Sequence, residues 1–356
     1  TDSSSSDSSD DGGDIGFFVS RIAVANRKSG EGLLIESENE ESQLKLLLPS
    51  NAEPMYISAS ILTNEIYIGD RGNNQLLVYD TTYLNQKDAI PLTCNGIFHQ
   101  FYNLNNQLWV VCDEDNTLLV IDTVKRAVIK TITINNIPIG YKPHDLTTSK
   151  DYAYVTLLGP STDGADGYII QYSTKTFNEK NRIAVGGDPH VWVDCCAITD
   201  TDYLFVAAQG ASTVYKVNVE TLKVEDTADV PGAHGLWATK NYLYVTDITS
   251  SDGVNSLYVI KQKDFTDIKV YDAKIGAPHN VIANSQQDKL FVTHSGPGAV
   301  TVYDINSDGS LDEVNGRIIF EEDGSVPFGI MNIVSLNEYN TGSANNGDDD
   351  DSSSDR

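Results

Sequence analysis

The hydrophobic pattern of this chain works on two scales. On the short scale, apolar runs such as "QLLVYD", "TLLVID", "LYVIK" and "VTVYD" alternate with polar stretches holding Gly, Asn and Asp. Runs this short, rich in Val, Ile, Leu and Tyr and bounded by turn residues, predict β-strands; no stretch shows the 3.6-residue period of an amphipathic helix. On the long scale the runs return about every 45 residues. A run read as a third strand recurs as "LLVYD" at 76, "LLVID" at 118, "YIIQYS" at 168, "VYKVN" at 214, "LYVIK" at 257 and "VTVYD" at 300. A second strand precedes each: "IYIGD", "WVVCD", "AYVTL", "LFVAA", "LYVTD" and "LFVTH".

A period of 40–50 residues in an all-β sequence predicts a propeller with four strands per blade. Complete copies begin near residues 54, 98, 143, 189, 233 and 278. The two ends supply a seventh. "FFVSRIAVAN", "GLLIESE" and "QLKLLLP" lack a first strand, and "VPFGIMNIV" reads as a first strand alone. Pairing them closes the ring and removes its edges. The expectation is a seven-bladed β-propeller over residues 16–338, with acidic Ser/Asp-rich ends at 1–15 and 339–356 that cannot bury apolar surface.

The phrases "YAYVT", "YLYVT" and "LFVTH", with Pro-His ahead of them, resemble the YVTN-repeat and lactonase-like seven-bladed propellers. The resemblance implies the fold. It leaves function open, because such propellers serve as enzymes, electron carriers and binding modules.

Histidine carries the candidate chemistry. A propeller's first strand lines the central channel, and its opening residue sits at one mouth. Reading that position blade by blade gives Met55, His99, His144, His190, His234, His279 and Phe328. Five of the chain's six histidines share this register, with spacings of 45, 46, 44 and 45. Neutral imidazoles gathered at one mouth suit a transition metal, copper first and zinc second. A second register, the end of each second strand, holds Asp70, Asp113, Asp247 and the sixth histidine, His294. These residues are candidates to orient the imidazoles or add ligands, as is Met55 through its thioether. The competing explanations are plain: Pro-His inherited by duplicated blades, and aspartates capping turns.

Charge narrows the partners. Acids outnumber bases 51 to 24, a net −27, which repels nucleic acid and anionic membranes and favours a metal ion or small-molecule substrate. No apolar run is long enough for a transmembrane segment. The Ser/Asp-rich leader resembles the spacer of bacterial lipoproteins, which implies a lipid anchor ahead of residue 1 and a periplasmic or cell-surface monomer. "DINSDGSLDE" from Asp304 has calcium-loop spacing, but Asn315 stands where the twelfth-position Glu belongs, so a hairpin is expected. Cys94 and Cys112 fall at one level of one blade, close enough to bridge; Cys195 and Cys196 are adjacent and point to opposite faces. The stretches "GPSTDGADG" and "ITSSDGVNS" are expected to fence the same mouth.

Three functions follow as expectations. The first is a metal-binding propeller, a metalloenzyme among the options. The second is a non-catalytic propeller that binds a protein or glycan on its top face. The third is a lactonase-like hydrolase using His and Asp as acid and base. No Ser-His-Asp order, phosphate loop or Cys-x-x-Cys supports other chemistries.

Overall fold

A computed structural model describes residues 18–60, 62–160, 166–193 and 203–336. The chain forms seven four-stranded antiparallel sheets arranged as the blades of a propeller. Six blades are built from consecutive strands. In the seventh, Phe18–Asn26 pairs antiparallel with Pro327–Leu336, bringing Val24 opposite Ile330 and Ala23 opposite Met331. The two ends of the sequence therefore close the ring, as the split repeat predicted.

Each blade's middle strands are mostly apolar because both faces are covered by neighbouring blades. Leu118, Leu119, Val120 and Ile121 are all fully buried. The fourth strands lie outside and read as half-exposed; Ala127–Thr133 buries chiefly Ile132. Asparagines at hairpins take the left-handed conformation that tight turns need, among them Asn74 (φ 50°) and Asn116 (φ 51°).

The inner strands set the site. In six of seven blades the inner strand carries a β-bulge two residues long just inside the mouth. In blade three, Pro143 pairs with Leu157 and Leu146 with Val155, so His144 and Asp145 form the bulge. Blades five and six do the same with His234–Gly235 and His279–Asn280. A bulge leaves a backbone N–H without a ladder partner. The threonine of the repeated "YVT" or "FVT" phrase accepts it. Thr156 Oγ1 takes the Asp145 N–H at 2.8 Å, Thr246 Oγ1 the Gly235 N–H at 2.8 Å, and Thr293 Oγ1 the Asn280 N–H at 3.0 Å. Thr246 also donates to the His279 carbonyl at 2.8 Å, joining blades five and six. Blade four has no bulge: His190 pairs directly with Ala207, and alanine replaces the threonine. The phrase that marks the repeat in sequence is thus a hydrogen-bonding device for the bulge.

Candidate functional site

The pairing corrects one residue of the expected histidine register. Pro54, Ile97, Pro143, Pro189, Ala233, Pro278 and Pro327 occupy equivalent places opposite the second strands. The residues after them, Met55, Phe98, His144, His190, His234, His279 and Phe328, form the first ring. Phe98 stands where His99 was expected, because Ile97 replaces the proline of "Pro-His" and the histidine falls one step later. His99 belongs to the next level, with Tyr56, Asp145 and Asn280. The same single step makes Cys112, not Asp113, the second-strand partner at this level.

Around the mouth the rings run in an unbroken series. Centroid separations are 4.1 Å for Phe98–His144, 5.1 Å for His144–His190, 3.7 Å for His190–His234, 4.5 Å for His234–His279 and 4.7 Å for His279–Phe328. Phe328 meets Phe98 edge-on at 5.9 Å, which completes the circle. Met55 is fully buried.

Beneath this ring, Asp145 links three blades. Its Oδ1 accepts from His99 Nε2 of blade two at 2.9 Å and from the Leu146 N–H at 2.8 Å. Its Oδ2 accepts the Val191 N–H of blade four at 3.0 Å and lies 3.7 Å from His190 Nδ1. His190 Nε2 faces Asp188 Oδ1 at 3.5 Å. Burial alone would raise the Asp145 carboxyl, but His99 and His190 overcome it and hold it well below the usual carboxylate range. Burial likewise opposes charge on His190, yet Asp145 and Asp188 push its imidazole up to about 9. The other channel imidazoles go the opposite way. Burial, then the charge on His190, brings His144 and His279 down to about 3 and His234 well below its ordinary value. The two carboxylates thus favour positive charge on His190 over its ring neighbours.

A cavity of about 50 Å³ lies under the ring, lined by Tyr56, His99, Asp145, His190, His234 and Asn280, with Trp192, Trp237 and Met331 farther in. His99 Nδ1, His234 Nδ1 and Trp237 Nε1 are buried and have no protein partner. Asn280 donates to the Phe328 carbonyl at 2.8 Å and sits 3.0 Å from His279 Nδ1.

The second register stays outside this cluster. Asp70 accepts from the Glu53 and Asn73 N–H groups and from the Asn73 and Gln75 side chains. Asp247 caps the turn at Thr249 at 2.9 Å. Asp113 pairs with Arg71 at 2.9 Å. His294 is fully buried between the Gly276 carbonyl and the Thr301 hydroxyl, each at 2.9 Å. Among the described residues, no three His, Cys, Asp or Glu side chains come together in a way that could hold a metal ion. The reason is visible in the contacts: His190 turns its two nitrogens to different carboxylates, and its face rather than its edge meets His234.

Cys94 and Cys112 form a disulfide, as their level in blade two predicted. Cys195, Cys196 and most of "GPSTDGADG" lie outside the described residues. "ITSSDGVNS" packs back on the start of blade six, where the Ala277 N–H meets the Ser250 carbonyl at 2.7 Å. The "NSDGS" segment is a hairpin turn with Gly309 at φ 75°, and its Asp308 pairs with Lys269 at 3.0 Å. No helix among the described residues is long and apolar enough to cross a membrane.

Sequence reasoning missed Asp145, Tyr56 and Asn280. The signal for Asp145 was present in "KPHDL": a residue following the register histidine falls in the bulge and turns toward the adjoining blades.

No protein-family model matches the sequence, and no curated protein matches it. Solved structures do resemble the fold. A protein from Lactobacillus plantarum shares 13% identity over 88% of this chain and 99% of its own, with a TM-score of 0.67. A putative 6-phosphogluconolactonase from Bacteroides fragilis shares 13% over 88% and 98%, at 0.65. Virginiamycin B lyase from Staphylococcus aureus shares 14% over 82% and 98%, at 0.61. At these identities the similarity establishes the seven-bladed propeller fold, with lactonase-like and lyase propellers among its neighbours.

Proposed function

We propose that the protein is an acid–base enzyme acting on a small molecule in its central channel. The observation that carries this reading is the buried His99–Asp145–His190 array. Asp145 fixes His99 with Nε2 as the donor, which leaves Nδ1 free to exchange a proton with a bound molecule. His190 supplies a fixed positive charge where negative charge would develop during reaction. Two imidazoles oriented about one buried carboxylate form a proton-transfer arrangement. The lactonase-like and lyase neighbours support small-molecule chemistry by analogy of fold only. The Cys94–Cys112 bridge supports an oxidising, extracytoplasmic setting.

The test is turnover of a panel of γ- and δ-lactones, followed by proton release, for the parent, H99Q and D145N. The proposal expects a parent activity that falls by about 10²-fold or more in both variants. Stoichiometric copper or zinc in the parent as purified, lost on replacing His190 and His234, would instead make the same residues a metal site and end the acid–base reading.

A further inference from the structure

The three members of the buried array are held by different means. His190 sits in an unbroken ladder opposite Ala207. Asp145 lies in a bulge, and Thr156 Oγ1 accepts its backbone N–H at 2.8 Å. His99 also lies in a bulge: Ile97 pairs with Cys112 and Gln100 with Val110, with Phe98 and His99 between. In blade two the place of Thr156 is taken by Val111, whose side chain has no acceptor to offer the bulge. Blades one and seven lack the threonine too, with Gly69 and Ala25 there, but neither supplies a member of the array.

His99 is set instead between two anchors. After it comes Gln100, buried, whose side-chain amide donates to the Tyr56 and Tyr67 carbonyls of blade one, each at 2.9 Å. Before it, Ile97 belongs to one apolar cluster with Cys94 and Cys112, all three buried. The Cys94–Cys112 bridge encloses His99 and ties the lead-in of the inner strand to the second strand. The other holds on that lead-in are hydrogen bonds: Asn95 N–H to Asp115 at 2.8 Å, Asp113 N–H to the Gly96 carbonyl at 2.9 Å and Arg71 Nη1 to the Ile97 carbonyl at 3.2 Å. Hydrogen bonds open to water restrain a chain weakly beside a covalent link.

We infer that Cys94 and Cys112 are positioning residues for His99: their bridge fixes the start of the bulge, as Thr156 does in blade three, and so brings His99 Nε2 to the Asp145 carboxylate. Nε2 donates to Asp145 whether the ring is neutral or charged, so the bridge sets the geometry of His99 and not its charge. The positioning stands on the contacts alone, and only its effect on turnover rests on the acid–base reading.

Ring ¹H–¹⁵N spectra of the full chain test it, comparing the parent, C94A/C112A and C94A/C112A/V111T. The added threonine puts a hydroxyl where blade three has Thr156. The His99 Nε2–H signal, assigned by its absence in H99Q, is expected to exchange with water about tenfold faster or more in C94A/C112A, and to recover in the triple variant. His294 of blade six, buried between the Gly276 carbonyl and the Thr301 hydroxyl, is the internal control and should stay protected in all three. An unchanged His99 signal in C94A/C112A, a loss shared equally by His294, or no recovery with V111T overturns the inference. Should C94A/C112A fail to fold, C94V, which keeps an apolar side chain beside Ile97, takes its place in the same comparison, with and without V111T. A His99 signal that responds as expected in a chain whose parent turns over no lactone would defeat the acid–base reading and leave the positioning role standing.

Discussion

His99 Nε2 lies 2.9 Å from Asp145 Oδ1, across the boundary between blades two and three, and both side chains are buried. Asp145 reaches blade four as well, through the Val191 N–H and His190. One carboxylate thus fixes the relative positions of three blades and the protonation of the channel.

Replacing Asp145 with Asn should show both roles. His190 keeps only Asp188 as a partner, so its pKa should drop from about 9 toward or below the ordinary imidazole value. Breaking a buried pair on one side should cost about 3–5 kcal/mol. Denaturant unfolding and a histidine NMR titration measure the two effects. An unchanged His190 titration would mean that Asp188 alone holds the proton.

Acid should destabilise the fold early. His144, His279 and His234 have folded-state values pushed below the ordinary 6.5 by burial, and His294 falls to about 4 for the same reason. Below pH 6.5 the unfolded chain takes up protons that the folded one refuses. Each such group then removes up to ~1.4 kcal/mol per pH unit until its folded value is reached. His190 has the opposite sign: its contribution is fully present below about pH 6.5 and is lost as pH rises through about 9. Melting temperature should therefore fall steeply from pH 6.5 toward 4.5, and H294Q should flatten that slope. A Tm that is level across this range would contradict the buried neutral imidazoles.

The bulge threonines give a mutational test of the fold. T246V keeps the shape but leaves the Gly235 N–H and the His279 carbonyl without their partner. An unsatisfied buried group costs about 1–3 kcal/mol. The expected result is a Tm several degrees lower, read by calorimetry. A207T in blade four, where no bulge exists, should bring no gain.

The covalent and topological closures are separable. The Cys94–Cys112 bridge spans 18 residues, and its loss in C94S should cost about 3 kcal/mol while leaving the propeller folded. Deleting Pro327–Leu336 removes an inner strand and exposes the edge at Phe18–Asn26. Circular dichroism should then show loss of the whole domain, whereas a folded product would contradict the ring closure.

The repeat made the architecture legible, because the apolar runs and their period encode strands and blades directly. The split seventh blade was legible for the same reason. The site was legible only in part. Pro-His marks the ring in blades three, four and six, but "IFHQ" keeps the histidine and loses the proline, and a single residue of offset moves His99 to the next level down. A bulge changes which side of the strand a residue faces, and period-two reasoning carries no sign of it. Asp145 was hidden this way. Its importance lies in contacts to blades two and four, 46 residues away in each direction.

The central claim is that the channel stores one proton, on His190, held by Asp145 and Asp188. Long-range ¹H–¹⁵N spectra of the histidine rings, recorded from pH 4.5 to 10, test it most directly. The account predicts one imidazolium, assigned by H190Q, that persists at neutral pH and titrates near 9, while His144 and His279 stay neutral to the acid end of the range. A His190 ring that is neutral at pH 7, or several rings titrating together near 6.5, would contradict it.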